Sequence, residues 1–138
     1  VQTTFSGLQA GVTVAHIHCC TAAPFTGSAG VATPTPSFPG FPAGVTAGSY
    51  DRTFDLTDAT SWNAAFVTAN GGLAGARAAL IAGLNGNRAY FNVHSSLFPA
   101  GEINGFAQVV PEPSTYALMA SGLAGLAGLA ARRRRLRA

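Results

Sequence analysis

Residues 114–131 form an uncharged run of 18 that leads straight into Arg132, Arg133, Arg134 and Arg135, with Arg137 close behind. No other feature restricts the fold as strongly, because such a run has no polar stripe to turn toward water in a small soluble domain. As a helix rising about 1.5 Å per residue it spans roughly 27 Å, close to the hydrocarbon thickness of a bilayer. The Arg cluster then stays on the cytoplasmic side and the preceding residues lie outside. Gly122, Gly125 and Gly128 keep the run weakly hydrophobic and repeat a small residue at every third position, which suits close helix packing. The expectation is a C-terminal transmembrane-type helix that inserts transiently, with Arg132 to Arg135 and Arg137 as the membrane stop.

The formal charge of +3 belongs to this tail. Residues 1–110 carry Arg52, Arg77 and Arg88 against Asp51, Asp55, Asp58 and Glu102, so the body is slightly acidic. Three scattered cations make no phosphate-binding face, and nucleic acid is excluded as a partner. With 17 Gly, 8 Pro, no Lys and 9% charged residues, the composition is that of a turn-rich exported β-domain. At 138 residues there is room for one modest core.

A rigid breaker, Val110-Pro111-Glu112-Pro113-Ser114, precedes the apolar run and the Arg cluster. In this order the three parts closely resemble the PEP-CTERM sorting signal, over residues 111–138. The resemblance implies processing by an exosortase, a membrane transpeptidase-like enzyme, near Pro111, Glu112 and Pro113. It also implies delivery of the body to the cell surface, outer envelope or extracellular matrix of a Gram-negative bacterium, where exopolysaccharide or other surface proteins would be its partners.

Within the body, residues 1–8 and 13–18 read as short strands joined by a hairpin turn at Gln9-Ala10-Gly11. Pro24, Pro34, Pro36, Pro39 and Pro42 exclude central-strand pairing over residues 19–48, which reads as a long surface loop. Residues 49–56 alternate Tyr50, Arg52, Phe54 and Leu56 with polar residues, the period of a half-buried strand. A short helix capped near Thr60 or Ser61 is expected within residues 58–70, and a second helical stretch over 72–83 with Gly83 as its stop. Residues 88–95 and 102–110 then read as an antiparallel pair around Pro99-Ala100-Gly101.

Two blocks carry a second resemblance. Ala15-His16-Ile17-His18, and Ala89-Tyr90-Phe91-Asn92-Val93-His94-Ser95 followed by Phe98-Pro99-Ala100-Gly101-Glu102-Ile103-Asn104-Gly105, look like the paired signatures of the CHRD (chordin-type) domain over residues 1–110. The resemblance implies an all-β module, an antiparallel sandwich or partial barrel with one short helix. The family's opening strands have no counterpart here, so the module reads as truncated at its N-terminus, and Asn104 stands where Arg is usual.

All three histidines fall in these blocks. His16 and His18, two apart on a strand, share one face with ring separations of about 6–7 Å, and His94 shares a face with Tyr90 and Asn92. If the strands are neighbours, three imidazoles suit copper or zinc, with Cys19, Cys20 and Glu102 as further ligands or orienting groups. The competing expectation is that each His hydrogen-bonds within the sheet. Cys19 and Cys20 are adjacent and close no long loop, so they read as structural or free thiols. Asp51, Asp55 and Asp58 read as a solvated face. No catalytic residues are expected: the chain has no phosphate loop, no nucleophile elbow and no helical metalloprotease motif, and Glu102 alone makes no glycosidase. The leading reading is a non-enzymatic surface module with a structural, adhesion or interaction role. The alternative is a copper- or zinc-binding protein, open to redox chemistry, using His16, His18 and His94.

Overall fold

The strand β2, Val12–His18, organises the body. It pairs antiparallel with β4, Tyr90–Ser95, which pairs in turn with β5, Ile103–Phe106, to give a three-stranded sheet in the order β2-β4-β5. A second sheet pairs β1, Gln2–Phe5, with β3, Gly48–Asp51. These relationships come from a computed structural model that describes residues 1–108, 118–126 and 132.

The expected β4–β5 hairpin is present, whereas residues 1–18 do not form a hairpin. β1 and β2 go to different sheets, so Gln9-Ala10-Gly11 is a crossing between sheets rather than a turn within one. The reason is burial: Phe5 of β1 and Tyr50 of β3 face Ala15 of β2 and Val93 of β4 in one core, completed by Leu8, Val12, Phe38 and Phe41. Two antiparallel sheets sharing inward side chains is the sandwich arrangement. A bulge between Val12 and Val14 shifts the register and lets Val12 join Ala15 in the core, although the two are an odd number of residues apart.

The proline-rich connection differs most from expectation. It is not simply surface: Ala32, Thr33, Phe38 and Phe41 are buried. Prolines bar it from being a strand, but the residues between them satisfy the free edge of β2. Ala32 and Phe38 donate their amides to the carbonyls of Ile17 and Ala15, at 2.9 and 2.8 Å. In return, the amides of Ile17 and Ala15 donate to the hydroxyls of Thr33 and Ser37, at 2.8 and 2.9 Å. An otherwise open sheet edge is thereby closed without a further strand.

Two α-helices lie in the body, one in each stretch read as helical, where the resemblance implied a single short helix: α1, Ala64–Ala69, and α2, Leu73–Asn85, after a 3-10 turn at Ala59–Ser61. The caps are Asp58 and Asn63, whose side chains accept from the amides of Thr60 and Ala65, and not Thr60 or Ser61. Gly83 lies inside α2, which ends at Gly86. Ala76, Leu80, Trp62, Ala89, Ala32 and Cys19 form a second core beneath the helices. The regular strand over 49–56 stops at Asp51, and Asp55 turns back to hold Thr57.

The chain divides into two units, Val1–Gln108 and Val109–Ala138. In the second, residues 118–126 are helical with every residue exposed, and Arg132 is helical and exposed. Among the described residues no helix is long and apolar enough to cross a membrane. Pro111, Glu112, Pro113, Arg133, Arg134, Arg135, Arg137 and half of the expected membrane helix lie outside the described residues.

Candidate metal centre

Register decides which side chains meet. Across β2 and β4, His18 is opposite Tyr90, His16 opposite Asn92 and Val14 opposite His94. His16, His18, Tyr90, Asn92 and His94 therefore share the sheet face opposite Ala15, Val93 and Phe91, and His94 sits diagonally from His16, within reach of a long side chain. The three imidazoles converge, with one ring nitrogen of each lying within 4.8 Å of the others. His16 and His94 meet edge to face with centroids 4.8 Å apart, and His16 and His18 do so at 4.7 Å.

Each ring is fixed from behind by a backbone carbonyl. The Nδ1 atoms of His16, His18 and His94 lie 3.0, 2.8 and 2.8 Å from the oxygens of Pro36, Ala29 and Pro99. A carbonyl oxygen only accepts, so each Nδ1 carries the proton and donates it, and the Nε2 of a neutral ring is left with a bare lone pair. Those lone pairs point inward. The Nε2 atoms of His94 and His16 are 2.9 Å apart, and the Nε2 of His18 is buried with no hydrogen-bond partner among the described residues. Two acceptors at that distance repel unless a cation lies beside both, and a buried acceptor without a donor is costly.

Burial favours the neutral form of His16 and His18. Burial pulls the His16 imidazole down to about 4, opposed by the Pro36 carbonyl and reinforced by His18 and His94. His18 is lowered by burial too, with the Ala29 carbonyl opposing and His94 adding to the effect. Neutral imidazoles with Nδ1–H donated to carbonyls and Nε2 free are the form that binds a transition metal.

The other residues expected at the site lie elsewhere. Cys19 and Cys20 are joined to each other as a disulfide and face α2, so neither supplies a thiolate. Glu102 is turned away, its Oε1 accepting from the amide of Gln9 at 2.5 Å. Tyr90 belongs to the site and was not expected there. Its ring stacks on His18 and its hydroxyl accepts from the amide of Ala29, the residue whose carbonyl seats that imidazole. The period of two that linked Tyr90 to His94 was the available signal. The carbonyls of Ala29, Pro36 and Pro99 had none, because backbone acceptors leave no mark in a sequence.

The CHRD domain family model matches residues 1–107, which spans both histidine blocks and both sheets. The chain belongs to the CHRD family. The PEP-CTERM protein-sorting motif matches residues 109–135 directly after it. In this CHRD protein the motif implies export, processing by an exosortase and association with a bacterial cell surface. No curated protein and no solved structure matches the chain.

Proposed function

We propose that this chain is an exported CHRD module that holds a copper ion through the Nε2 atoms of His16, His18 and His94. The observation that carries the reading is the convergence of three imidazole ring nitrogens, each ring tied through Nδ1 to a backbone carbonyl. The metal preference follows from one distance. Two metal–nitrogen bonds of about 2.05 Å hold their nitrogens roughly 3.3 Å apart at a tetrahedral angle and roughly 2.9 Å apart at a right angle. The 2.9 Å between His16 and His94 fits the right angle of tetragonal copper(II) better than the tetrahedral angle of zinc(II). The His18 ring nitrogen, within 4.8 Å of the other two, closes by up to about 2 Å to join them, since two such bonds span about 4.1 Å when opposed and about 2.9 Å at a right angle.

Delivery to the outer envelope or extracellular matrix of a Gram-negative bacterium is part of the same reading and is supported by the sorting motif. That motif also supports a second reading, a structural or adhesive surface module that needs no metal. Titration of chelator-treated full chain with copper(II) against a competing chelator separates them. Tight stoichiometric binding, lost by at least about tenfold in His94→Ala and abolished in His16→Ala/His18→Ala, supports the copper centre. Binding that is weak, or unchanged by these substitutions, leaves the metal-free module.

A further inference from the structure

The Cys19–Cys20 disulfide lies in a second site, remote from the imidazole cluster in chemistry though adjacent in sequence. Both cysteines line an open cleft of about 640 Å³ between the chain after β2 and the helices α1 and α2, with Phe66, Asn70, Ala82 and Arg88 among its walls. The two residues are unequally exposed, Cys19 at 4% and Cys20 half-buried, and both line the cleft. Behind them the α2 backbone comes so close that a Cβ at Gly83 would collide with both sulfurs. The pair is thus clamped from one side and open from the other.

The cleft has one sign of charge. Among the described residues Arg88 is the sole charged one lining it, and no described carboxylate opposes it there. Its Nε donates to the carbonyl of Thr21, which holds the guanidinium in place. Among the described residues its Nη groups have no hydrogen-bond acceptor, so the end of the fork is available to a ligand. An accessible sulfur of a disulfide reacts with a thiolate, and a fixed guanidinium binds a carboxylate.

We propose that this cleft is a thiol–disulfide exchange site for small thiols that carry a carboxylate, with Cys20 Sγ as the atom attacked and Arg88 as the group that holds the carboxylate. The incoming thiolate forms a bond to Cys20 Sγ while the Cys19–Cys20 bond breaks. The electron pair leaves on Cys19 Sγ, which takes a proton from water to replace the one the thiol released. A second thiol attacks the mixed disulfide, forming the small-molecule disulfide and leaving Cys20 as a thiol. Two thiols are oxidised and one protein disulfide is reduced, with no further reactant. Export fits this chemistry, since disulfides persist outside the cytoplasm.

The test uses the full oxidised chain in EDTA, with mercaptoacetate and the neutral 2-mercaptoethanol as probes. Rates are read by quenching with iodoacetamide and intact-mass analysis, at equal thiolate concentration and normalised to each probe's reaction with a small model disulfide. Wild type is expected to favour mercaptoacetate by about threefold to fivefold, the scale of one partly exposed ion pair. That advantage disappears in Arg88→Gln and, should that variant fold poorly, in wild type at 1 M salt. The first adduct is expected on Cys20. A normalised ratio near unity in wild type, an advantage untouched by both salt and Arg88→Gln, or a disulfide inert to both thiols overturns the proposal.

Discussion

The imidazole of His18 lies flat on the phenol ring of Tyr90, with centroids 4.7 Å apart and planes 5° from parallel, because the two residues are register partners across β2 and β4. The stack fixes the ring plane, and the Ala29 carbonyl fixes its rotation within that plane. Tyr90→Phe keeps the stack and removes the acceptor of the Ala29 amide, so it should lower stability by about 1 kcal/mol in urea unfolding. Copper affinity should change by less than about threefold. Tyr90→Leu removes the stack and should weaken copper binding by about tenfold, on the scale of groups that orient a ligand.

Stability of the metal-free protein should fall with acid in a defined window. The folded-state value of His16 is depressed to about 4 from the ordinary 6.5, so between these values the unfolded chain binds a proton that the folded chain refuses. The stabilisation is fully present above about pH 6.5, declines as pH falls and is lost below about pH 4. Urea midpoints measured in chelator should show this slope, and His16→Gln should flatten it. An equally steep slope in the variant would assign the effect to other groups.

Gly83 faces both sulfurs of the disulfide at a distance that leaves no room for a methyl group. Gly83→Ala should therefore cost about 1–3 kcal/mol through overpacking, despite alanine's better helix propensity. In a Cys19→Ala/Cys20→Ala background the penalty should shrink, and the double-mutant coupling measures the contact directly.

The sorting motif predicts where processing fails. Replacing Pro111, Glu112 and Pro113 together with alanine should leave exported protein that still carries residues 114–138, detectable by intact mass. Normal trimming in that variant would separate sorting from the Pro-Glu-Pro element.

The sequence made the three-histidine face legible through strand periodicity: His16 and His18 two apart, and His94 in step with Tyr90 and Asn92. The β4–β5 pairing was equally legible, because the turn at Pro99-Ala100-Gly101 is local. What escaped was long-range. Nothing in residues 1–18 distinguishes a hairpin from two strands in separate sheets, since the deciding contacts are Phe5 and Tyr50 with Ala15 and Val93. Prolines bar a central strand over residues 19–47, with β3 beginning at Gly48, yet they could not reveal that Thr33 and Ser37 hydroxyls would stand in for strand acceptors along β2. Glu102 was drawn toward the histidines by its place in the second block, whereas its side chain serves the Gln9 amide. Arg88 beside the cysteines arises only when the chain leaving α2 passes the end of β2.

Three imidazoles that hold one metal ion should carry it in the exported protein. Mass spectrometry reads the metal content of the protein recovered after export and purified without chelator, alongside that of His16→Ala/His18→Ala. Wild type should carry stoichiometric copper and the variant none. Metal-free wild type, or copper retained equally by the variant, would contradict it.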